Sequence, residues 1–271
     1  MITHATMTDA RDMTYGGYLT LETLLGAQHP VSDHHDELLF IIMHQTKELW
    51  LKQIIHELKL ALALVRADQL LEVHKNLSLI SRIQAVMTLS WDVLATLTPT
   101  DYLTFRHVLG GSSGFQSAQF RQVEYLLGIK DGAHLKFQEE GSEGHRALAG
   151  ALAVRSLWDE ANAALARGGF ALPTDVLERD WSQKYEPSAA VEDAWAKVYR
   201  DTDRYWEFYQ FAEKLMDIDD SMAVWRHKHV VTVERVIGLK TGTGGTAGVP
   251  YLQKTITKRA FPELWTLRTR L

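Results

Sequence analysis

Apolar side chains recur along this chain at helical spacing, over segments that are long for a globular protein. Residues 33–66, DHHDELLFIIMHQTKELWLKQIIHELKLALALVR, contain no glycine or proline and begin with acidic side chains. Acidic residues favour the first turn of a helix, and apolar residues at steps of three, four and seven mark one helical face. The pattern predicts one very long helix, with an inner stripe of Phe40, His44, Leu51, Ile55, Leu58 and Leu62.

Two more long helices are predicted, over residues 69–97 and about 189–238, the latter with a candidate break near 217–221 (DIDDS). Residues 230–237, VVTVERVI, are rich enough in β-branched side chains for a strand, but a lone strand would have no partner. A helix is therefore the better interpretation. The fold class predicted is all-α, a single helical domain over residues 1–271.

The prolines lie between the periodic segments or at their starts, where proline fits the first turn of a helix. The sequence TPTDYL is the clearest case. Thr98 stands at the cap position, Pro99 at the first helical position and Asp101 in the first turn. A helix is predicted to begin there.

Charge and composition narrow the class of protein. The formal net charge of −5 offers no basic surface for nucleic acid. The longest apolar run, LLFIIM, is too short to cross a membrane, and no secretion signal is visible at the start. We expect a cytoplasmic protein with neither a nucleic-acid nor a membrane partner. Residues 1–13 are expected to be a short, flexible leader.

The absence of cysteine removes disulfides, thiolate nucleophiles, iron–sulfur clusters and thiolate-bound haem from consideration. The zinc-protease motif H-E-x-x-H is absent, and so is the pair of Glu-x-x-His motifs of a di-iron bundle. Residues 33–37, DHHDE, crowd together side chains of the metal-binding kind, but sequence neighbours on a helix point in different directions. A solvated helix start is preferred to a metal site.

Residues 242–248, GTGGTAG, match part of the G-x-G-x-x-A fingerprint of dinucleotide-binding proteins. That motif requires a preceding strand and a following helix in a βαβ unit, and neither is predicted here. The segment is interpreted as a mobile loop or as one that folds over a ligand.

Two histidines lie on apolar helical stripes. His229 shares its stripe with Met222, Trp225 and Val233, whereas His227 lies about 200° around the same helix. A neutral imidazole on an apolar face suits an axial haem ligand, although a structural core histidine gives the same pattern. His44 repeats the arrangement on the first long helix. Two such histidines suit opposite sides of a haem.

A further cluster lies in YLTFRHVLGGSSG. Tyr102 and Arg106 are four residues apart, on one helical face, and a small-residue turn follows at 110–114. A guanidinium beside exposed backbone N–H groups can clamp a carboxylate. A surface arginine with a plain connecting loop is the alternative.

Several of these stretches resemble a known family in sequence and in order. They are TYGGYLTLETLLGAQ, HHDELLFIIMHQTKELWLKQIIHEL, FRHVLGGSSGFQSAQFRQVEYLLG, DTDRYWEFY and WRHKHVVTVERVIGLKTGTGGTAGVPYLQ, and the resemblance covers about residues 14–268. They closely resemble the bacterial tryptophan 2,3-dioxygenases. The resemblance implies an all-helical bundle enclosing a pocket for non-covalent haem b, ferrous in the active form. It also implies a homotetramer that cleaves L-tryptophan with O2 to N-formyl-L-kynurenine, the first step of the kynurenine pathway.

The resemblance also implies residue roles by motif position. His229 corresponds to the axial ligand of the haem iron, His44 to a distal histidine that hydrogen-bonds the indole N–H, and Arg106 to the partner of the substrate carboxylate. The other implied positions are substrate contacts at Phe40, Tyr102 and Thr243, haem-pocket positions Ser113 and Gly114, and Tyr15, Tyr18 and Leu19. The last three lie in the segment 14–30, which is expected to reach into a neighbouring subunit's active site.

The role of His44 stays open between orienting the indole and acting as a general base. Three other classes of protein share parts of the pattern. They are a helical haem protein that only binds gas, an indoleamine-type dioxygenase with broader substrates, and a structural bundle without haem.

Overall fold

The computed structural model describes residues 13–271, and within that range the chain forms helices and turns without a strand. The predicted all-α class is confirmed. Most of the expected leader, residues 1–12, lies outside the described residues. The helices are α1 (Tyr15–Leu19), α2 (Leu21–Leu25), α3 (Glu37–Arg66), α4 (Val73–Leu94), α5 (Pro99–Phe105), α6 (Ala118–Leu127), α7 (Glu143–Ala153), α8 (Leu157–Arg167), α9 (Thr174–Leu177), α10 (Ala189–Arg200), α11 (Trp206–Ile237), α12 (Val249–Gln253) and α13 (Pro262–Thr266).

The predicted long helices are present, with shifted ends. Helix α3 begins at Glu37 and not at residue 33, because the Glu37 carboxylate accepts the backbone N–H groups of Val31 and Ser32, each at 2.8 Å. These bonds hold the preceding segment in a turn. Helix α4 covers the central part of its predicted range, and α5 begins as predicted, with a reciprocal cap between Thr98 and Asp101.

The helix predicted over about 189–238 is interrupted, but not at the candidate break near 217–221. The chain leaves the helix between Arg200 and Trp206 and then continues as one 32-residue helix through both the acidic stretch and residues 230–237. The buried Asp219 explains why the acidic stretch stays helical. Its carboxylate accepts the backbone N–H groups of Ala260 and Phe261 and the indole N–H of Trp265, at 2.9–3.1 Å.

The core forms where α3, α4 and α11 pack side by side, with α6, α8, α10 and α13 around them. Its largest fully buried side chains include Trp158, Trp195 and Phe211. A second apolar cluster lies where α3, α4, α5 and the end of α11 meet. Within residues 13–271, no helix has the length and unbroken apolar character that crossing a lipid bilayer requires.

Candidate active site

A large pocket opens beside the second apolar cluster, between α3, α4, α11 and the two glycine-containing loops. Its empty space, including the part open to solvent, is about 1450 Å³. The wall of the pocket is mainly apolar.

The structure brings most of the predicted site residues together. Those that line the pocket are Phe40, His44, Tyr102, Ser113, Gly114, His229 and Thr243. Arg106 is not among the lining residues; its guanidinium donates a hydrogen bond to the carbonyl of Thr241, which precedes the lining residue Gly242. Tyr15, Tyr18 and Leu19 do not line the pocket, because α1 is an exposed helix in which no residue is buried.

His44 presents a hydrogen-bond acceptor to the pocket. Its Nδ1 lies 2.7 Å from the carbonyl oxygen of Phe40, and since a carbonyl only accepts, Nδ1 carries the hydrogen. Burial lowers the pKa of His44 to about 4. At neutral pH the ring is therefore uncharged, and its Nε2 has a free lone pair.

His229 is the pocket histidine of α11. Its ring stacks on the indole of Trp91 with centroids 4.4 Å apart and planes 10° from parallel. Burial lowers the pKa of His229 to about 3, so the imidazole is neutral and able to ligate a metal. His227, two residues earlier, is exposed, as the helical periodicity predicts.

An aromatic wall lies next to His44. The ring of Phe40 is 4.2 Å from that of His44 and 5.8 Å from those of Tyr102 and Phe105. Tyr102 is buried, which raises the pKa of its phenol and keeps it protonated. The wall offers flat apolar surface beside a single acceptor nitrogen.

The two glycine-containing loops, predicted separately, lie against each other at the entrance. The Thr243 hydroxyl donates to the carbonyl of Ser112 at 2.6 Å. A Cβ placed on Gly244 would lie 2.7 Å from the Cβ of Ser113, closer than two carbons can approach. Glycine at this position therefore allows the loop 242–248 to rest on the turn 110–114, and no phosphate-binding βαβ unit surrounds it among the described residues.

Buried charges line the inner end of the pocket. Glu124 accepts from Arg121 at 2.6 Å through one oxygen and from Arg226 at 2.8 Å through the other. Burial alone would raise the pKa of Glu124, but the two guanidiniums more than offset it and hold that pKa below its ordinary value. Lys47 lines the same end and is also buried.

Sequence reasoning missed Lys47, Trp91, Arg121 and Trp225 as pocket residues. A signal was present for Lys47, since it follows His44 by three residues and so shares its helical face. Trp225 also had a signal, since it lies on the same helical stripe as His229. Trp91 and Arg121 depend on which helices pack together, which local periodicity does not reveal.

These features define an all-helical ligand-binding protein whose large pocket carries two neutral histidines on separate helices. Among the residues that the structure describes, no three His, Asp or Glu side chains are grouped to hold a bare metal ion.

The family model for tryptophan 2,3-dioxygenase matches residues 3–152 and 196–271. The chain is 60% identical over 262 residues to a tryptophan 2,3-dioxygenase of Caulobacter vibrioides, covering 97% of this chain and 100% of that protein. It is 51% identical over 260 residues to one of Bacillus thuringiensis subsp. konkukian, covering 96% and 93%. It is 50% identical over 262 residues to one of Bordetella pertussis, covering 97% and 92%. The chain belongs to the tryptophan 2,3-dioxygenase family.

Proposed function

We propose that this protein cleaves the indole C2–C3 bond of L-tryptophan with O2 to give N-formyl-L-kynurenine, with haem b held non-covalently by His229. The observation that carries the proposal is the neutral His44, whose Nε2 faces the pocket as an acceptor beside an aromatic wall. An indole has one N–H, which can donate to His44 Nε2, and two flat apolar faces, which can pack against the aromatic wall. Family membership supports the same reaction.

The residues present fit a haem. The pocket wall is mainly apolar, and His229 of α11, which lines it, is a neutral imidazole. When bound, ferrous haem supplies the oxygen chemistry, for which side chains alone have no suitable group.

The substrate is positioned by the aromatic wall and by the two glycine-containing loops. The indole N–H donates to His44 Nε2, and Phe40 and Tyr102 pack beside the ring. The substrate carboxylate takes the place of the Thr241 carbonyl on Arg106, because an anionic acceptor binds a guanidinium more strongly than a neutral one. Thr243, at the loop, binds the amino-acid end.

Both oxygen atoms of O2 end in the product. The C2–C3 bond breaks, C3 becomes a ketone carbon, and C2 becomes the formyl carbon that remains on nitrogen. We assign His44 to holding the indole N–H in the reactive orientation. Removal of that proton by the unprotonated Nε2 is the alternative role.

We further propose a cytoplasmic homotetramer in which the segment 14–30 of one subunit completes the pocket of another. Tyr15 and Tyr18 are 77% and 72% exposed, although both are large aromatic side chains. An exposed aromatic helix of this kind is a usual mark of an interaction surface.

The experiment uses purified protein supplied with haem. An absorption spectrum reports haem uptake, and addition of L-tryptophan with reductant in air reports formylkynurenine by its own absorbance. Haem uptake with product formation supports the proposal. A haem spectrum without product would favour the gas-binding class, and no haem uptake would favour a structural bundle. Equal rates with other indoleamines would favour the broader dioxygenase class.

A further inference from the structure

The segment 14–30, which we call the arm, is hydrogen-bonded to the body of the chain through one side chain. Gln45 of α3 donates from Nε2 to the carbonyl of Ala27 at 2.9 Å, and its Oε1 accepts from Gln28 Nε2 at 2.7 Å. No other hydrogen bond joins the arm to a described residue outside it. Gln45 therefore fixes where the arm leaves α3.

The arm itself is held together by a series of hydrogen bonds. The Gln28 amide that bonds Gln45 also donates to the carbonyl of Leu24 at the end of α2, at 2.9 Å. At the other end of α2, the Thr20 carbonyl accepts the N–H of Leu24 at 3.0 Å, and the Thr20 N–H donates to the carbonyl of Gly17 in α1 at 3.3 Å. The orientation of Gln28 is thus passed on to α1.

The outer part of the arm leaves large apolar side chains in solvent. Neither α1 nor α2 contributes a buried residue. The side chains concerned are 40–77% exposed, and they are Tyr15, Tyr18, Leu19, Leu24 and Leu25. Apolar side chains exposed together in this way mark a surface that a protein partner covers.

The outer face of α3 extends this exposed surface. Leu38, Ile42, Gln45 and Leu49 follow one another at steps of four, three and four, and so lie on one face of the helix. The three apolar members are 43–50% exposed. Gln45 is therefore the polar residue at which the arm joins an apolar face, and a second copy of this chain is the partner that the proposed homotetramer supplies.

Gln45 and the adjacent His44 point to different sides of α3. Successive residues on a helix are about 100° apart. His44 lines the pocket of its own subunit, whereas Gln45 does not. Gln45 therefore has no contact through which to act on that pocket, and its contacts are with the arm.

We propose that Gln45 is a positioning residue for the tryptophan site of the neighbouring subunit. By holding Ala27 and Gln28, it sets the direction in which α1 carries Tyr15 and Tyr18 into that site. This inference rests on the proposed function, since it requires the arm to be shared between subunits. It adds that a residue next to the distal histidine of one subunit serves the pocket of another.

The first measurement needs no catalysis. Hydrogen–deuterium exchange of peptides from the arm is followed by mass spectrometry in the full-length, haem-loaded oligomer, for wild type and Gln45→Ala. Gln53→Ala is the matched control, because Gln53 lies on the same helix and bonds Glu57 of that helix instead of the arm. We expect the arm to exchange several-fold faster in Gln45→Ala than in the other two proteins.

The second measurement asks which pocket Gln45 serves. Gln45→Ala alone should lower kcat/KM for L-tryptophan per haem on the order of tenfold, since two neutral hydrogen bonds are lost. Gln45→Ala chains are then co-expressed with His229→Ala chains that carry a different tag, and oligomers are purified through both tags. Loss of assembly cannot imitate the result, because only mixed oligomers are assayed.

In these mixed oligomers the proposed iron ligand is present only in the Gln45→Ala chains. About half of their pockets receive an arm from a chain with intact Gln45. We therefore expect kcat/KM per haem to rise to about half the wild-type value. If Gln45 served its own pocket, the value would stay at that of Gln45→Ala alone.

Absence of this rescue would overturn the inference, and so would normal kinetics of Gln45→Ala or arm exchange equal to that of Gln53→Ala. Tyr18→Ala mixed with His229→Ala in the same format separates the possible failures. Rescue of Tyr18→Ala without rescue of Gln45→Ala would overturn the role of Gln45 alone. No rescue of either would overturn the shared pocket, and a wild-type protein that forms no product would overturn the proposed function.

Discussion

The two pocket histidines differ in what surrounds their ring nitrogens. His44 donates its Nδ1–H to the carbonyl oxygen of Phe40 and keeps Nε2 as an acceptor, whereas the ring of His229 stacks on the indole of Trp91. Helical periodicity was sufficient to place both on inward faces and to turn His227 outward. It could not give the tautomer of His44, because that depends on a backbone carbonyl one turn earlier.

We expect His229→Ala to lose most of its haem, because alanine has no ligand atom for the proposed axial bond. His227→Ala is the control, since His227 is exposed on the same helix two residues away. The measurement is the ratio of haem to protein after purification under identical haem supply. Equal haem content in the two variants would contradict the assignment of His229.

The lowered pKa of His44 predicts a pH dependence of stability in the haem-free protein. The unfolded chain takes up a proton near pH 6.5, whereas the folded protein resists it until about pH 4. Below about pH 6.5 the unfolded state therefore binds more protons, and wild type loses stability as pH falls. Relative to that of His44→Gln, the free energy of unfolding of wild type should fall by about 1.4 kcal/mol for each pH unit between about pH 6.5 and pH 4.

Denaturant unfolding of wild type and His44→Gln at several pH values between 7 and 4.5 measures this difference. The other titrating groups are common to both proteins and cancel in the comparison. A difference in free energy of unfolding between the two proteins that stays constant over the whole pH range would show that His44 titrates normally in the folded state.

At the scale of elements, the entrance is formed where the end of α5 meets the loop 242–248. Arg106 follows directly after α5 and bonds the Thr241 carbonyl, and Thr243 bonds the Ser112 carbonyl. The glycines allow this close contact, as Gly244 against Ser113 shows. The sequence indicated two separate small-residue turns, but their contact is set by the packing of α5 against α11.

Arg106→Ala is expected to lower kcat/KM for L-tryptophan while haem content stays normal. Loss of a charge-assisted partner in a closed site costs about 2–5 kcal/mol, equivalent to roughly 30-fold to several thousand-fold. His107→Ala provides the control, because His107 is the adjacent exposed residue. Steady-state kinetics checks the prediction, and unchanged turnover at low tryptophan would exclude the carboxylate clamp.

The long helices were predictable because their apolar periodicity extends over many turns. The points at which these helices are interrupted were harder to predict. The acidic residues 217–221 resemble a break, yet Asp219 is needed inside α11 to hold the segment before α13. The partner of a buried carboxylate lies about 40 residues away in sequence, and no local pattern indicates it.

At the scale of the whole molecule, the described chain leaves aromatic surface on α1 uncovered. The exposed Tyr15 and Tyr18 support a pocket that is shared between subunits. Resemblance to a family predicted this sharing, whereas a single chain carries no pattern that reveals its neighbour.

Mixed oligomers test the shared pocket. Tyr18→Ala and His229→Ala are expected to be poorly active alone. Co-expressed with different tags and purified through both, they should regain activity, since about a quarter of randomly assembled sites combine an intact α1 with an intact His229. Activity no greater than that of the separate variants would contradict a site built from two subunits.

The reaction itself is tested by isotope labelling. Haem-loaded, reduced protein is mixed with L-tryptophan under ¹⁸O₂, and the product is analysed by mass spectrometry before hydrolysis. We expect N-formylkynurenine that carries two labelled oxygen atoms. A product with one labelled atom, or no cleavage of the indole ring by haem-loaded protein, would contradict a dioxygenase reaction in this pocket.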